Sequence, residues 1–183
     1  MFLKYYKLNE DVPSPKFATS DSACFDLCAY LVPGNTIISG EEAPKIVVYT
    51  MDNKKEERSI SMWAKEMYFC CGVDLAPGER ALIPTGLIFD IPEEHSVRLH
   101  MRSGISLKKG LTMPNGEGII DADYYHQTFV MVYNASADTV RIWHGDKIAQ
   151  GELVKNETYE MSETEIMPEQ KTERVGGFGS TGN

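Results

Sequence analysis

Residues able to do chemistry on an anionic substrate gather in four short stretches. In NGEGIIDADY (115–124), Asp121 and Asp123 stand two apart and Tyr124 follows. Strand alternation would put both carboxylates on one face and Tyr124 on the other. An aspartate, with a reference pKa of about 3.9, is charged at neutral pH and can take a proton from a hydrogen-bonded water. The competing reading is a hairpin with solvated carboxylates. Asn115-Gly116 supports a hairpin in either case, because a type I′ turn needs positive φ at both central residues. In MRSGIS (101–106), Arg102 offers a fixed fork of donors that matches phosphate oxygens. Ser103 adds a hydroxyl, and Gly104 allows close approach of backbone N–H groups. GDKIAQ (145–150) reads as a turn entering a strand with Gln150 near its middle. RVGGFGSTG (174–182) combines Arg174, Ser180 and Thr181 as phosphate donors with one aromatic, Phe178. Its glycines make it costly to order, so it needs a planar partner for Phe178 to stack on. It is not a P-loop, since no lysine follows the glycines.

The elements that would hold these residues read as strands. FLKYYKL, IVVYT, MYFCCGV, RALIPTGLIFDI, SVRLHM, QTFVMVYN and TVRIWH are β-type runs separated by turn formers such as APGER, PNGEG and HGD. That pattern predicts an all-β sandwich or barrel and excludes a doubly wound fold. In EERSISMWAKEM, Ile60, Trp63 and Met67 fall at helical spacing, so a short helix is expected within a polar insertion spanning about 35–69. The boundaries expected are a β domain over 1–162, interrupted by that insertion, and an extended arm over 163–183.

Composition sets the outer limits. With 183 residues, 42% hydrophobic and 25% charged, the chain suits one globular domain. A net charge of −9 argues against broad binding to a nucleic-acid backbone. An anionic small molecule would need local Arg, backbone N–H groups and a divalent cation. No apolar run is long enough to span a bilayer, and the start turns polar too early for a signal peptide, so no membrane partner and an intracellular location are expected. The location would be cytoplasm or nucleus, or host cytoplasm for a viral chain. Cys24, Cys28, Cys70 and Cys71 form no CxxC pair. Reduced thiols and a zinc site are both readings of them, the first favoured.

Taken together and in order, SDSACFDLCA (20–29), MRSGIS, NGEGIIDADY, GDKIAQ and RVGGFGSTG resemble the motifs of the trimeric dUTPase family. They span nearly the whole chain apart from 35–69. The resemblance implies an all-β, distorted jelly-roll-like barrel subunit and a homotrimer with shared active sites. It implies hydrolysis of dUTP to dUMP and diphosphate, with Mg²⁺, which keeps uracil out of DNA and supplies dUMP for dTMP synthesis. By position, Asp121 would orient the water that attacks the α-phosphorus. Asn115, Gly118, Ile119 and Ile120 would line the uracil slot, and Tyr124 would pack on the deoxyribose and exclude a 2′-hydroxyl. Arg102, Ser103, Gly104 and Gln150 would hold phosphate from a neighbouring subunit, and Asp26 would reach Mg²⁺ through water. A third subunit's tail would lay Phe178 on uracil and bring Arg174, Gly179, Ser180 and Thr181 to the phosphates.

This chain departs from the family pattern in four places. Arg174 is one residue closer to Phe178 than usual, with Lys171 available to share its work. His126 stands where a glycine is usual, which puts the turn geometry there in question. Lys147 replaces an arginine, and Met101 a proline. The sibling dCTP deaminase family is disfavoured by Ser103-Gly104 and by DADY. A further protein partner acting through 35–69 is the expectation of a different class.

Overall fold

The computed structural model describes residues 1–32, 45–65 and 68–173. Its strands are β1 (Lys4–Lys7), β2 (Lys16–Phe17), β3 (Phe25–Cys28), β4 (Lys45–Tyr49), β5 (Lys55–Ser59), β6 (Ser61–Lys65), β7 (Tyr68–Leu75), β8 (Arg80–Pro84), β9 (Leu87–Asp90), β10 (His95–Met101), β11 (Leu111–Thr112), β12 (Gly118–Asp121), β13 (Phe129–Asn134), β14 (Val140–Trp143) and β15 (Lys147–Lys155). One short helix among the described residues, α1 (Ser103–Lys109), interrupts them. Two five-stranded sheets, ordered β12-β10-β15-β3-β2 and β11-β13-β8-β4-β5, carry most of the pairing. A β14-β7-β6 sheet and a β1-β9 ribbon complete a mostly β, jelly-roll-like architecture. The ladders of the described residues stay in four separate sheets and do not close into one ring.

Alternation decides which residues enter the core. Val97 and Leu99 on β10, Phe25 and Leu27 on β3, Ile83 on β8, and Val130 and Val132 on β13 are all buried. Their neighbours on the same strands point outward. At Gly151 on β15 the packing leaves no room for a side chain, since a Cβ there would lie 2.7 Å from the Phe25 ring.

The 58–69 region is not helical where it is described. Lys55–Ser59 pairs with β4, and Ser61–Lys65 pairs with β7. A lone helix of that length is marginal in water, whereas β4 and β7 each offer an open ladder. Ile60, between the two strands, packs against the core. The 35–69 stretch is therefore built into two sheets through its described part. Arg58 on β5 fastens it by reaching Glu79 with two hydrogen bonds of 2.6 and 2.5 Å. Met67 lies outside the described residues.

The Asn115-Gly116 turn also differs from expectation. Gly116 has φ +73°, but Asn115 is not among the positive-φ residues. The Gly116 N–H donates to the Met113 carbonyl at 3.0 Å, so Pro114 occupies the second position of a Met113–Gly116 turn. Proline's fixed φ suits that place in an ordinary β-turn, and glycine then supplies the left-handed step. The flanking strands do not pair with each other, because β11 joins β13 and β12 joins β10.

Candidate functional site

β12 presents the DADY carboxylates. Gly118 and Ile120 face inward, and Gly118 fits closely beneath Leu99 and Met113. Ile119 and Asp121 face outward, and Asp121 stands opposite Ser96 of β10. The strand ends there, with the Tyr124 N–H donating to the Asp121 carbonyl at 3.1 Å. Asp123 therefore lies in a turn and does not share a strand face with Asp121.

A pocket of about 290 Å³ opens beside this turn, lined by Leu82, Ile119, Ile120, Asp121, Tyr124, Thr128 and Phe129. Its walls are apolar apart from one carboxylate, the Tyr124 ring and a buried Thr128 hydroxyl. That suits a flat organic ring held beside a general base. Ile119, Ile120, Asp121 and Tyr124 are brought together as the sequence suggested. Gly118 does not line the pocket and packs against Leu99 and Met113 instead. The Asn115 side chain donates to the Glu117 carbonyl at 2.9 Å, in the turn at the other end of β12. Leu82, Thr128 and Phe129 were missed, since they come from β8 and the start of β13 and carry no local signal of their own.

A second cluster forms on the same outward sheet face. The register sets His100 opposite Gln150, and Gln150 opposite Asp26. Arg102, in extended conformation at the start of α1, places Nε 2.9 Å from Asp26 Oδ1. Lys147 places Nζ 2.8 Å from Asp26 Oδ2. Arg102 also donates to the Lys147 carbonyl at 3.4 Å. Ser103 and Gly104 are exposed in the first turn of α1. Three separate motifs thus converge: a buried carboxylate aligns two cations beside a glutamine, an arrangement able to grip phosphate oxygens. Cys28 lies nearby with its thiol pKa pushed up, chiefly by burial and against the pull of Lys147, so it is not a ready nucleophile.

Both Asp26 oxygens face cations, so direct metal ligation is not on offer there. No group of three His, Cys, Asp or Glu side chains among the described residues is placed to hold a metal. The described residues of a single chain thus assemble no direct metal site. A magnesium carried on substrate phosphates would need no such cluster.

Asp121 and this cluster are well separated. Ser96 and His100 are four residues apart on β10, and β12 and β15 flank that strand on opposite sides. Strand geometry puts Asp121 roughly 16 Å from Gln150. That separation refers to the backbone positions and favours phosphate reaching Asp121 from elsewhere than Gln150 of the same chain. Lys171 is exposed in the extended segment after β15, while Arg174, Phe178, Gly179, Ser180 and Thr181 lie outside the described residues.

A family model described as dUTPase matches residues 66–182. The deoxyuridine 5'-triphosphate nucleotidohydrolase of Caulobacter vibrioides is 33% identical over 180 residues, covering 98% of this chain and 92% of that one. Its counterpart from Finegoldia magna is 43% identical over 111 residues, covering 60% and 76% of the two chains. Among solved structures, a Staphylococcus bacteriophage 80alpha dUTPase point mutant with dUpNHpp superposes with a TM-score of 0.69 at 21% identity, covering 100% of this chain and 99% of that one. A point mutant of the dUTPase from phage phi11 of S. aureus, solved for the coordination of a structural Mg(II) ion, gives 0.64 at 20% identity, covering 92% and 100%. The chain belongs to the dUTPase family. Its reaction class is dUTP diphosphatase, a nucleoside triphosphate pyrophosphohydrolase.

Proposed function

We propose that this chain hydrolyses dUTP to dUMP and diphosphate by an in-line attack of water on the α-phosphorus, with Asp121 as general base. The observation that carries this reading is the Asp121 carboxylate at the edge of an apolar pocket that Ile119, Ile120 and Tyr124 also line. Uracil fits between the apolar walls, with the Asn115 turn and the Gly118–Ile120 backbone bordering it. The deoxyribose lies on Tyr124. The water oxygen bonds to phosphorus as its proton passes to Asp121, and the bond from the α-phosphorus to the bridging oxygen breaks, releasing diphosphate. Mg²⁺ travelling on the triphosphate supplies charge neutralisation for the phosphates and the leaving group.

The phosphates are gripped by Arg102, Ser103, Gly104 and Gln150 of a neighbouring chain in a homotrimer, with Asp26 holding Arg102 and Lys147 in place. The separation of roughly 16 Å estimated within one chain supports such sharing. Residues 163–183 act as an arm from a third chain, bringing Phe178 to the uracil and Arg174, Gly179, Ser180 and Thr181 to the phosphates. The chain works inside the cell, removing dUTP before it enters DNA. Residues 35–69 stand as the part available to a further protein partner.

The test is diphosphate release from dUTP, dCTP, dTTP and UTP, each with and without Mg²⁺, for the native chain and Asp121→Asn. Turnover of dUTP far faster than that of the other three is expected. The variant should bind dUTP yet lose about 10²–10⁴-fold in rate, the usual contribution of a general base. Near-native turnover by the variant would remove Asp121 from its role, and ammonia release from dCTP would point to a deaminase.

A further inference from the structure

Tyr124 is held by more than its own backbone. Its hydroxyl donates to the Gln127 carbonyl at 3.1 Å, and its ring meets that of His126 edge to face, with centroids 5.6 Å apart and planes at 72°. The segment between is fixed at both ends. On one side the Tyr124 N–H reaches the Asp121 carbonyl, and on the other the Thr128 N–H donates to the Leu87 carbonyl at 2.7 Å. Tyr124 is 39% exposed and lines the pocket, and the His126 ring adds a side-on contact to the single hydrogen bond that its hydroxyl makes.

The backbone accepts His126 without strain. Asn53 and Glu94 are the non-glycine residues with positive φ among the described residues, and His126 is not one of them. The turn has no need of glycine here, so the imidazole is available to do something else.

We infer that His126 is a positioning residue that fixes the Tyr124 ring and thereby sharpens discrimination between deoxyribose and ribose. This rests on the reading that Tyr124 packs against the sugar. A ring locked in one orientation presents a hard wall to a 2′-hydroxyl, whereas a ring free to swing yields to it. Edge-to-face aromatic pairs contribute enough to shift such a balance about two- to twelve-fold.

The experiment compares kcat/KM for dUTP and for UTP in the full-length native chain, His126→Gly and His126→Phe. The dUTP-to-UTP ratio should fall about two- to twelve-fold in His126→Gly. In His126→Phe, which restores a ring without imidazole nitrogens, it should return to near the native value. A variant that folds only in part lowers both rates equally and leaves the ratio untouched, so loss of folding cannot imitate the effect. Should His126→Gly turn over too slowly to measure, the ratio of dUMP to UMP affinities by titration calorimetry is compared between variant and native chain instead. An unchanged ratio in His126→Gly overturns the inference, and so does a reduced ratio that phenylalanine fails to restore. If the native chain does not hydrolyse dUTP, it is the proposed reaction that fails.

Discussion

Replacing Glu79 with glutamine tests how the 35–69 stretch is fastened to the scaffold. Arg58 grips the Glu79 carboxylate at 2.6 and 2.5 Å and also donates to the Asp74 carbonyl at 3.1 Å. The Ala76 N–H adds a fourth hydrogen bond, 2.8 Å to Glu79 Oε2. Glu79's side chain is 8% exposed and Arg58's 32%. Glutamine keeps the shape and one acceptor, so the perturbation is the lost charge facing a half-buried guanidinium. Breaking a fully buried pair costs roughly 3–5 kcal/mol. Because a third of Arg58 stays in water and glutamine still accepts one hydrogen bond, about 2–3 kcal/mol is expected here. For a chain of this size that lowers Tm by roughly 5–10 °C.

The pH dependence has a definite sign. Arg58's hydrogen bonds, opposed by burial and helped by the Ala76 N–H, hold Glu79 below its ordinary value of 4.5. A carboxylate depressed in the folded state stabilises fully above its unfolded value and loses that contribution as pH falls through the folded one. The Tm gap between the native chain and Glu79→Gln should therefore be widest at pH 7.5 and should narrow once pH drops below 4.5. Circular dichroism melts at both ends of the range measure it. Equal melting temperatures at pH 7.5, or a gap unchanged in acid, would refute the claim that this pair fastens β5.

Two further outcomes can be measured on the same material. Truncation before Arg174 should abolish most dUTP hydrolysis while the melting temperature stays within about 2 °C, because the ten residues removed, RVGGFGSTGN, are mostly glycine and polar. His144 accepts the Leu31 N–H at Nδ1, 3.1 Å, and burial pulls its pKa below 6.5 against the opposing effect of Asp11. Such a histidine must be neutral to fold, so this part of the stability is complete above pH 6.5 and declines below it. Histidine replaced by asparagine should flatten the melting profile between pH 5 and 7, and an unaltered profile would show that His144 plays no such part.

Much of the candidate site could be read from local pattern because its residues come in short motifs. Alternation alone set Asp121 and Tyr124 on opposite faces, whereas the turn after β12 brings both to one pocket; Arg102 comes near Gln150 only through the β10–β15 ladder. What escaped reading depends on long-range pairing. The β5 and β6 strands form because β4 and β7 offer open edges, and the Ile60–Trp63 spacing says nothing of those. Leu82 and Phe129 enter the pocket only once β8 and β13 pair, Phe129 facing Pro84 across the ladder. The convergence of Asp26, Arg102 and Lys147 also arises from register between β3 and β15. The Asn115-Gly116 pair marked a turn but not its type, since Pro114 in front of it chose the geometry.

The distance between Asp121 and the phosphate-gripping cluster carries an evolutionary consequence. On the proposed reading, each protomer contributes parts to three different reaction centres. A substitution at the seam between protomers can then silence turnover while every catalytic group stays intact and every monomer remains well folded. Selection on such an enzyme falls on neighbourly fit as heavily as on chemistry.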